Sequence, residues 1–244
     1  MEAGFMPENA PLVVLTLMGT CFLLGVAGLI AIYGLVKGRR KAVKKSVLAG
    51  AIVAGGYLVL LLGASVVSDE KVLAMGQQKY FCEIDCHEAY SIVGARTAKT
   101  IGEAEDQRTA AGTFYIVTVK VWFDEDTISS RRAKDMPLYP NPRMALLIDQ
   151  HGQEYESSPA AQRALERAEG KATIEFTQPL KPGESYTREL VFDVPGDVAN
   201  PRLYVTLAGG IPGPLLIGHE RSPLHKRILF DLTPPAKPQA KGRL

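Results

Sequence analysis

The chain has 244 residues, 46% of them hydrophobic and 22% charged, with a net charge of +2. That length gives room for one ordinary domain and something besides. It carries 28 Lys plus Arg against 26 Asp plus Glu, and six of the cations stand in one short loop, so the acidic remainder argues against a nucleic-acid partner.

Residues 1–10 form a short leader that carries Glu2 and Glu8 and no cation, unlike the basic start of a cleaved signal peptide. From Pro11 to Val36 no charge appears, and none appears again from Ser46 to Val67. Each run is long enough to cross about 30 Å of hydrocarbon as a helix. Between them, residues 37–45 (KGRRKAVKK) hold six cations and no acid, which places this loop in the cytoplasm and both flanks outside. Removing those six leaves 22 cations against 26 acids, so the remainder is acidic, net −4. Small residues such as Gly25, Gly28, Ala31, Ala51 and Gly55 suit close packing of two helices in lipid. Neither run carries an ionisable group for an ion pathway. The expected partner of this segment is the lipid bilayer, in an inner or plasma membrane.

Residues 68–79 read as a polar linker and 80–232 as one extracytoplasmic domain. Its runs AYSIVGARTAKTIG, GTFYIVTVKVWF, MALLIDQ, QEYES, KATIEFT, SYTRELVFDV, PRLYVTLA and KRILFDL are β-branched or alternating and are bounded by turn residues. Within the second run Tyr115, Val117, Val119 and Val121 share the more apolar face, which predicts the core side. The turns DQHG (Asp149 to Gly152) and LKPGE (Leu180 to Glu184) place Gly where a tight turn needs it. From Ser158 to Gly170, SPAAQRALERAEG predicts a short helix stopped by Gly170, covering an open end of the β structure. Residues 233–244 are rich in Pro and Lys and read as a disordered tail. The fold expected is a transmembrane hairpin plus an all-β, immunoglobulin-like β-sandwich.

The strand order, carried by GTFYIVTVKVWF, MALLIDQHGQEYESS and LKPGESYTRELVFDVP, resembles the telokin-like, immunoglobulin-like extracytoplasmic domains labelled DUF4352. That likeness implies a sandwich outside the cytoplasm and no catalytic signature. A two-helix hairpin bearing an outer β domain with a Cys-x-x-x-Cys pair also looks like subunit II of haem-copper oxidases, although Tyr90 stands where that subunit has a His after the second Cys.

The sharpest local motif is Cys82-Glu83-Ile84-Asp85-Cys86-His87. Fully extended, the two thiols would be about 13 Å apart, so any bond between them needs a bend. Three readings stay open: a structural Cys82–Cys86 disulfide; a soft-metal site suited to copper, completed by His87, His219 or His225; and covalent haem on a lengthened C-x-x-C-H motif with His87 as axial ligand. Cys21 counts as an apolar helix residue, and His151 as a solvated turn residue. The long loop SRRAKDMPLYPNP presents Met136, Leu138 and Tyr139 as a partner-docking element. The sequence contains no G-x-S-x-G, Walker A, H-E-x-x-H or G-x-G-x-x-G motif. The function expected is a non-enzymatic binding or structural module, an accessory to a membrane or envelope complex. The alternative is a copper-binding or redox accessory protein using Cys82 and Cys86.

Overall fold

A computed structural model describes residues 10–83, 86–170, 174–209 and 212–233. The leader 1–9, the tail from 234, and Ile84 and Asp85 of the cysteine motif lie outside the described residues. The chain divides into two units. One is helical and takes residues 10–70 together with 212–227; the other takes Lys71–Gly209 with the strand that begins at Ile228.

In the helical unit, α1 (Ala10–Val36) and α2 (Arg40–Val66) form a hairpin closed by Gly38 at φ 67°. Both are long and apolar enough to cross a membrane. Ser46 Oγ of α2 donates to Ala27 O of α1 at 2.5 Å. A Cβ on Gly50 would touch Ala27 and Leu24, and one on Gly34 would come 2.8 Å from Val43. The helices therefore meet through Gly34, Ala27, Ser46 and Gly50. Gly25, Gly28 and Gly55, named above as packing positions, instead have open space where a Cβ would stand.

The other unit is a β-sandwich. One sheet has four strands in the order β2 (Lys79–Cys82), β3 (His87–Ile101), β4 (Arg108–Asp124) and β7 (Ser185–Val194), all antiparallel. The second has five, in the order β1 (Lys71–Leu73), β9 (Ile228–Asp231), β8 (Arg202–Leu207), β5 (Arg143–Ile148) and β6 (Glu154–Glu156). β1 runs parallel to β9 and lies inside the stretch read as a linker. The expected KATIEFT strand is not formed over its described residues 174–177. Val117, Val119 and Val121 are fully buried, so the apolar face of β4 is the core side.

Helix α3 (Pro159–Glu169) starts where Ser158 accepts from Ala161 N and stops at Gly170 in the left-handed region. It does not close an end of the sandwich. Its Ala161, Ala164 and Leu165 pack on Phe114, Ile116 and Val191, which alternate with the core residues of β4 and β7 and so lie on the outer face of the four-stranded sheet. β7 is the edge of that sheet, and Gln162 caps its free backbone: Oε1 accepts from Val191 N at 3.2 Å and Nε2 donates to Glu189 O at 2.8 Å. The helix thereby protects an edge strand from adding a foreign one.

Candidate functional site

The β2–β3 hairpin carries the cysteine motif, and its register settles where each side chain goes. Cys82 pairs with His87, Phe81 with Glu88 and Lys79 with Tyr90, while Glu83 N donates to Cys86 O at 2.8 Å across the turn. Cross-strand partners share a face and neighbours along a strand do not. Lys79, Phe81, Glu83, Cys86, Glu88 and Tyr90 thus point one way, and Tyr80, Cys82, His87 and Ala89 the other. The first set is buried throughout, with Lys79, Phe81, Cys86, Glu88 and Tyr90 at 0% exposure.

The two thiols consequently diverge, and neither they nor Cys21 form a disulfide. This corrects the expected Cys82–Cys86 disulfide: the hairpin bends as the spacing requires, but with a register that sends the sulfurs to opposite faces. The same divergence denies copper a shared dithiolate and haem two attachment points on one side. His219 and His225 belong to the helical unit, where His219 is buried and His225 half-buried. Among the described residues no group of three or more His, Cys, Asp or Glu is placed to hold a metal ion. Asp124 is spent locally, accepting from Asp126 N at 3.1 Å.

What the buried face builds instead is an ionic cluster inside the sandwich. Arg143, the first residue of β5, comes across from the second sheet with its side chain 1% exposed, pairs with Glu83, and lies 3.7 Å from Glu88 Oε2. Its guanidinium sits 4.4 Å from the centre of the Phe81 ring, a cation–π contact strengthened by desolvation. The Asn141 side chain also donates to Glu83. Tyr90 OH donates to Glu88 Oε2 at 2.9 Å. Burial pushes the Glu88 carboxyl up to about 8, against the pull of Arg143 and the Tyr90 hydroxyl and with a smaller push from Glu83. Burial and the neighbouring Glu88 likewise raise Tyr90 well above the ordinary phenol value.

Lys79 has a different task. β8 and β9 pair only at Arg202–Asp231 and Leu203–Phe230. Beyond that point the Lys79 ammonium donates to Val205 O at 2.7 Å and to Ile228 O at 3.3 Å, one carbonyl from each strand. A buried cation completes a sheet that has run out of backbone donors.

Beside the cluster, Arg143, Phe176, Arg188, Leu146, Leu190 and Glu156 line a cleft of about 360 Å³. Arg188 stacks on Phe176 at 4.8 Å and pairs with Glu175 at 2.8 Å. Among the described residues, Nε and Nη1 of Arg143 and Nε of Arg188 are buried N–H groups without a hydrogen-bond partner, so the cleft wall holds donors that a small polar guest would satisfy.

Of the loop residues, Met136 and Tyr139 are 52% and 74% exposed, whereas Leu138 is 3% exposed and belongs to the core. Leu138 exchanges two backbone hydrogen bonds with Leu180, at 2.8 and 3.1 Å. Arg132 donates to Pro137 O at 2.7 Å and lies over the Phe123 ring. The loop is therefore pinned at its centre, with two large apolar side chains standing on either side of the pin.

No protein-family model and no curated protein matches the chain. Three solved structures are similar in part. A conserved hypothetical protein from Bacillus anthracis shares 15% identity over 55% of this chain and 89% of that one, with a TM-score of 0.39. The secreted protein MPT63 from Mycobacterium tuberculosis shares 11% over 67% and 99%, at 0.40. An uncharacterized β-sandwich protein from Clostridium difficile shares 7% over 68% and 97%, at 0.33. The class is set by this chain's own strand pairing: two long apolar N-terminal helices joined to a β-sandwich.

Proposed function

We propose that the protein is a membrane-anchored, extracytoplasmic binding module, an accessory to a membrane or envelope complex with no catalysis of its own. The observation that carries this reading is the surface of α1 and α2. Phe22, Leu29 and Val59 are 70%, 69% and 71% exposed, and apolar side chains stand uncovered along both helices. Water would penalise such a surface heavily, and lipid would not. The basic loop 37–45 then faces the cytoplasm and the sandwich the opposite side. Met136 and Tyr139, held on a pinned loop, supply the contact surface, since a pre-ordered loop loses little entropy on binding.

Cysteine labelling in intact cells tests the topology. Glu154→Cys on β6 is expected to react with a membrane-impermeant maleimide, and Lys41→Cys only after permeabilisation; the reverse pattern overturns the reading. A photo-crosslinking residue at Tyr139 is expected to give a discrete adduct that one at Arg163 of α3 does not. Equal smears from both sites would remove the loop from the proposal.

A further inference from the structure

Residues 212–227, the connection between β8 and β9, do not belong to the sandwich unit but to the helical one. Tyr57 OH of α2 donates to Leu215 O at 2.5 Å, and Lys226 N donates to Ser68 Oγ just past the end of α2 at 2.8 Å. The segment therefore runs alongside α2, from the Tyr57 level up to its C-terminal end. Tyr57 lies nine residues before Val66, about 14 Å down a helix axis and thus near the middle of a hydrocarbon layer of about 30 Å. α2 has no room to shift outward: only Ser46 to Val67 is free of charge, and Leu60, Val66 and Val67 toward its outer end are exposed and need lipid.

From these observations we infer that residues 212–227 form a re-entrant loop that dips into the bilayer leaflet at the C-terminal end of α2. The inference rests on the membrane-anchored reading above and adds a lipid contact to it.

The segment's chemistry follows its depth. Its deep half, residues 212–218 (PGPLLIG), is uncharged, and its shallow half, residues 219–227 (HERSPLHKR), carries every ionisable group. Leu215 is 42% exposed at the Tyr57 level, where only lipid would be met. Lys226 and Arg227 come level with Ser68, where cations meet phosphate headgroups. Irregular backbone at membrane depth must satisfy its own polar groups, and this loop is made to do so. Pro212, Pro214 and Pro223 have no N–H to satisfy. A run of tight turns uses others: Leu215 N donates to Pro212 O, Leu216 N to Gly213 O, His219 N to Leu216 O, Ser222 N to His219 O and His225 N to Ser222 O, all within 3.1 Å. Ser222 Oγ adds a bond to Leu216 O at 2.6 Å, and Tyr57 takes the Leu215 carbonyl. His219, Glu220 and Ser222 are buried within the protein.

Spin labels test the depth directly. In a Cys21→Ala, Cys82→Ser background, with buried Cys86 left unreactive, labels are placed singly at Leu215→Cys, Leu224→Cys, Leu60→Cys on α2 and Glu154→Cys on β6. The full chain is reconstituted in nanodiscs of phosphatidylcholine and phosphatidylglycerol, and collision with oxygen is compared with collision with a water-soluble nickel chelate. The expected oxygen-to-nickel ratio at Leu215 is about tenfold above that at Glu154 and close to that at Leu60, as for a label in hydrocarbon, with Leu224 in between. A water-like ratio at Leu215 beside a lipid-like one at Leu60 overturns the loop while leaving the anchor intact. Shielding of Leu215 from both reagents overturns it in favour of a protein cover. A water-like Leu60 overturns the anchor itself.

Discussion

The two ends of the sandwich interior are built on opposite principles. Around Val117, Val119, Leu147, Leu190, Phe192 and Leu203 the core is a conventional apolar filling, each of these residues 3% exposed or less. Around Phe81 the same interior holds Lys79, Glu83, Glu88 and Arg143, all buried. The first end gains stability from removing apolar surface from water and tolerates volume-conserving change. The second is held by charges that must keep their partners, because a buried ion left alone costs more than the pair contributes. An ionic end of this kind specifies how the sheets meet, since Arg143 must come from β5 to reach Glu83 just past the end of β2.

Arg143→Ala is expected to break the ionic end most severely, at about 3–5 kcal/mol near neutral pH, because Glu83 stays buried without its counter-charge. Chemical denaturation measures it, and the loss should grow as pH rises through about 8, where the Glu88 carboxyl gives up its proton and needs the Arg143 charge. Leu147→Ala, in the apolar end, is expected to cost about 2–5 kcal/mol with no such pH dependence. Equal pH profiles for the two variants would erase the distinction.

Glu88 sharpens the comparison. Its folded pKa, about 8, lies above the ordinary 4.5, so the folded state holds a proton that the unfolded chain releases. The stability this group contributes is whole below about pH 4.5 and is lost as pH rises through 8. Between pH 5 and 8 the wild type is expected to lose on the order of 2–4 kcal/mol relative to Glu88→Gln, which has no proton to release. Parallel curves for the two proteins would mean that Glu88 is ionised in the fold. The smallest effect belongs to the other face of the same hairpin. Cys82→Ser is expected to change stability by no more than about 0.5 kcal/mol, and intact mass of the wild type after alkylation should show three thiols, with Cys86 reacting only on unfolding. A two-dalton deficit would restore the disulfide.

Much of this molecule was legible because its signals are local. Two uncharged runs joined by six cations give the hairpin, period-2 alternation gives the Val face of β4, and Ser158 with Gly170 brackets α3. The ionic cluster was illegible for an equally physical reason. In KYFCE, Lys79 and Glu83 alternate with Tyr80 and Cys82 just as an exposed strand face would, and charged residues are taken as solvated unless a partner is known. That partner, Arg143, stands 60 residues away in the other sheet. Met136 and Tyr139 read correctly as exposed, whereas Leu138 joined the core through a backbone exchange with Leu180 that no spacing announces.

The amino-acid sequence by itself determined most of the elements, the KATIEFT strand, absent over its described residues, and the added β1 excepted, and which helices are apolar enough for lipid. Only the tertiary structure decided the faces of the β2–β3 hairpin. A shift of one residue in the β2–β3 register would turn Cys82 inward and Lys79 outward, because side chains alternate with a period of two. Likewise, nothing in the spacing of residues 212–225 announces that Tyr57 takes the Leu215 carbonyl and sets that segment's place along α2. Local chemistry sets the conformation of a segment, but the direction its side chains face is set by what lies across from them.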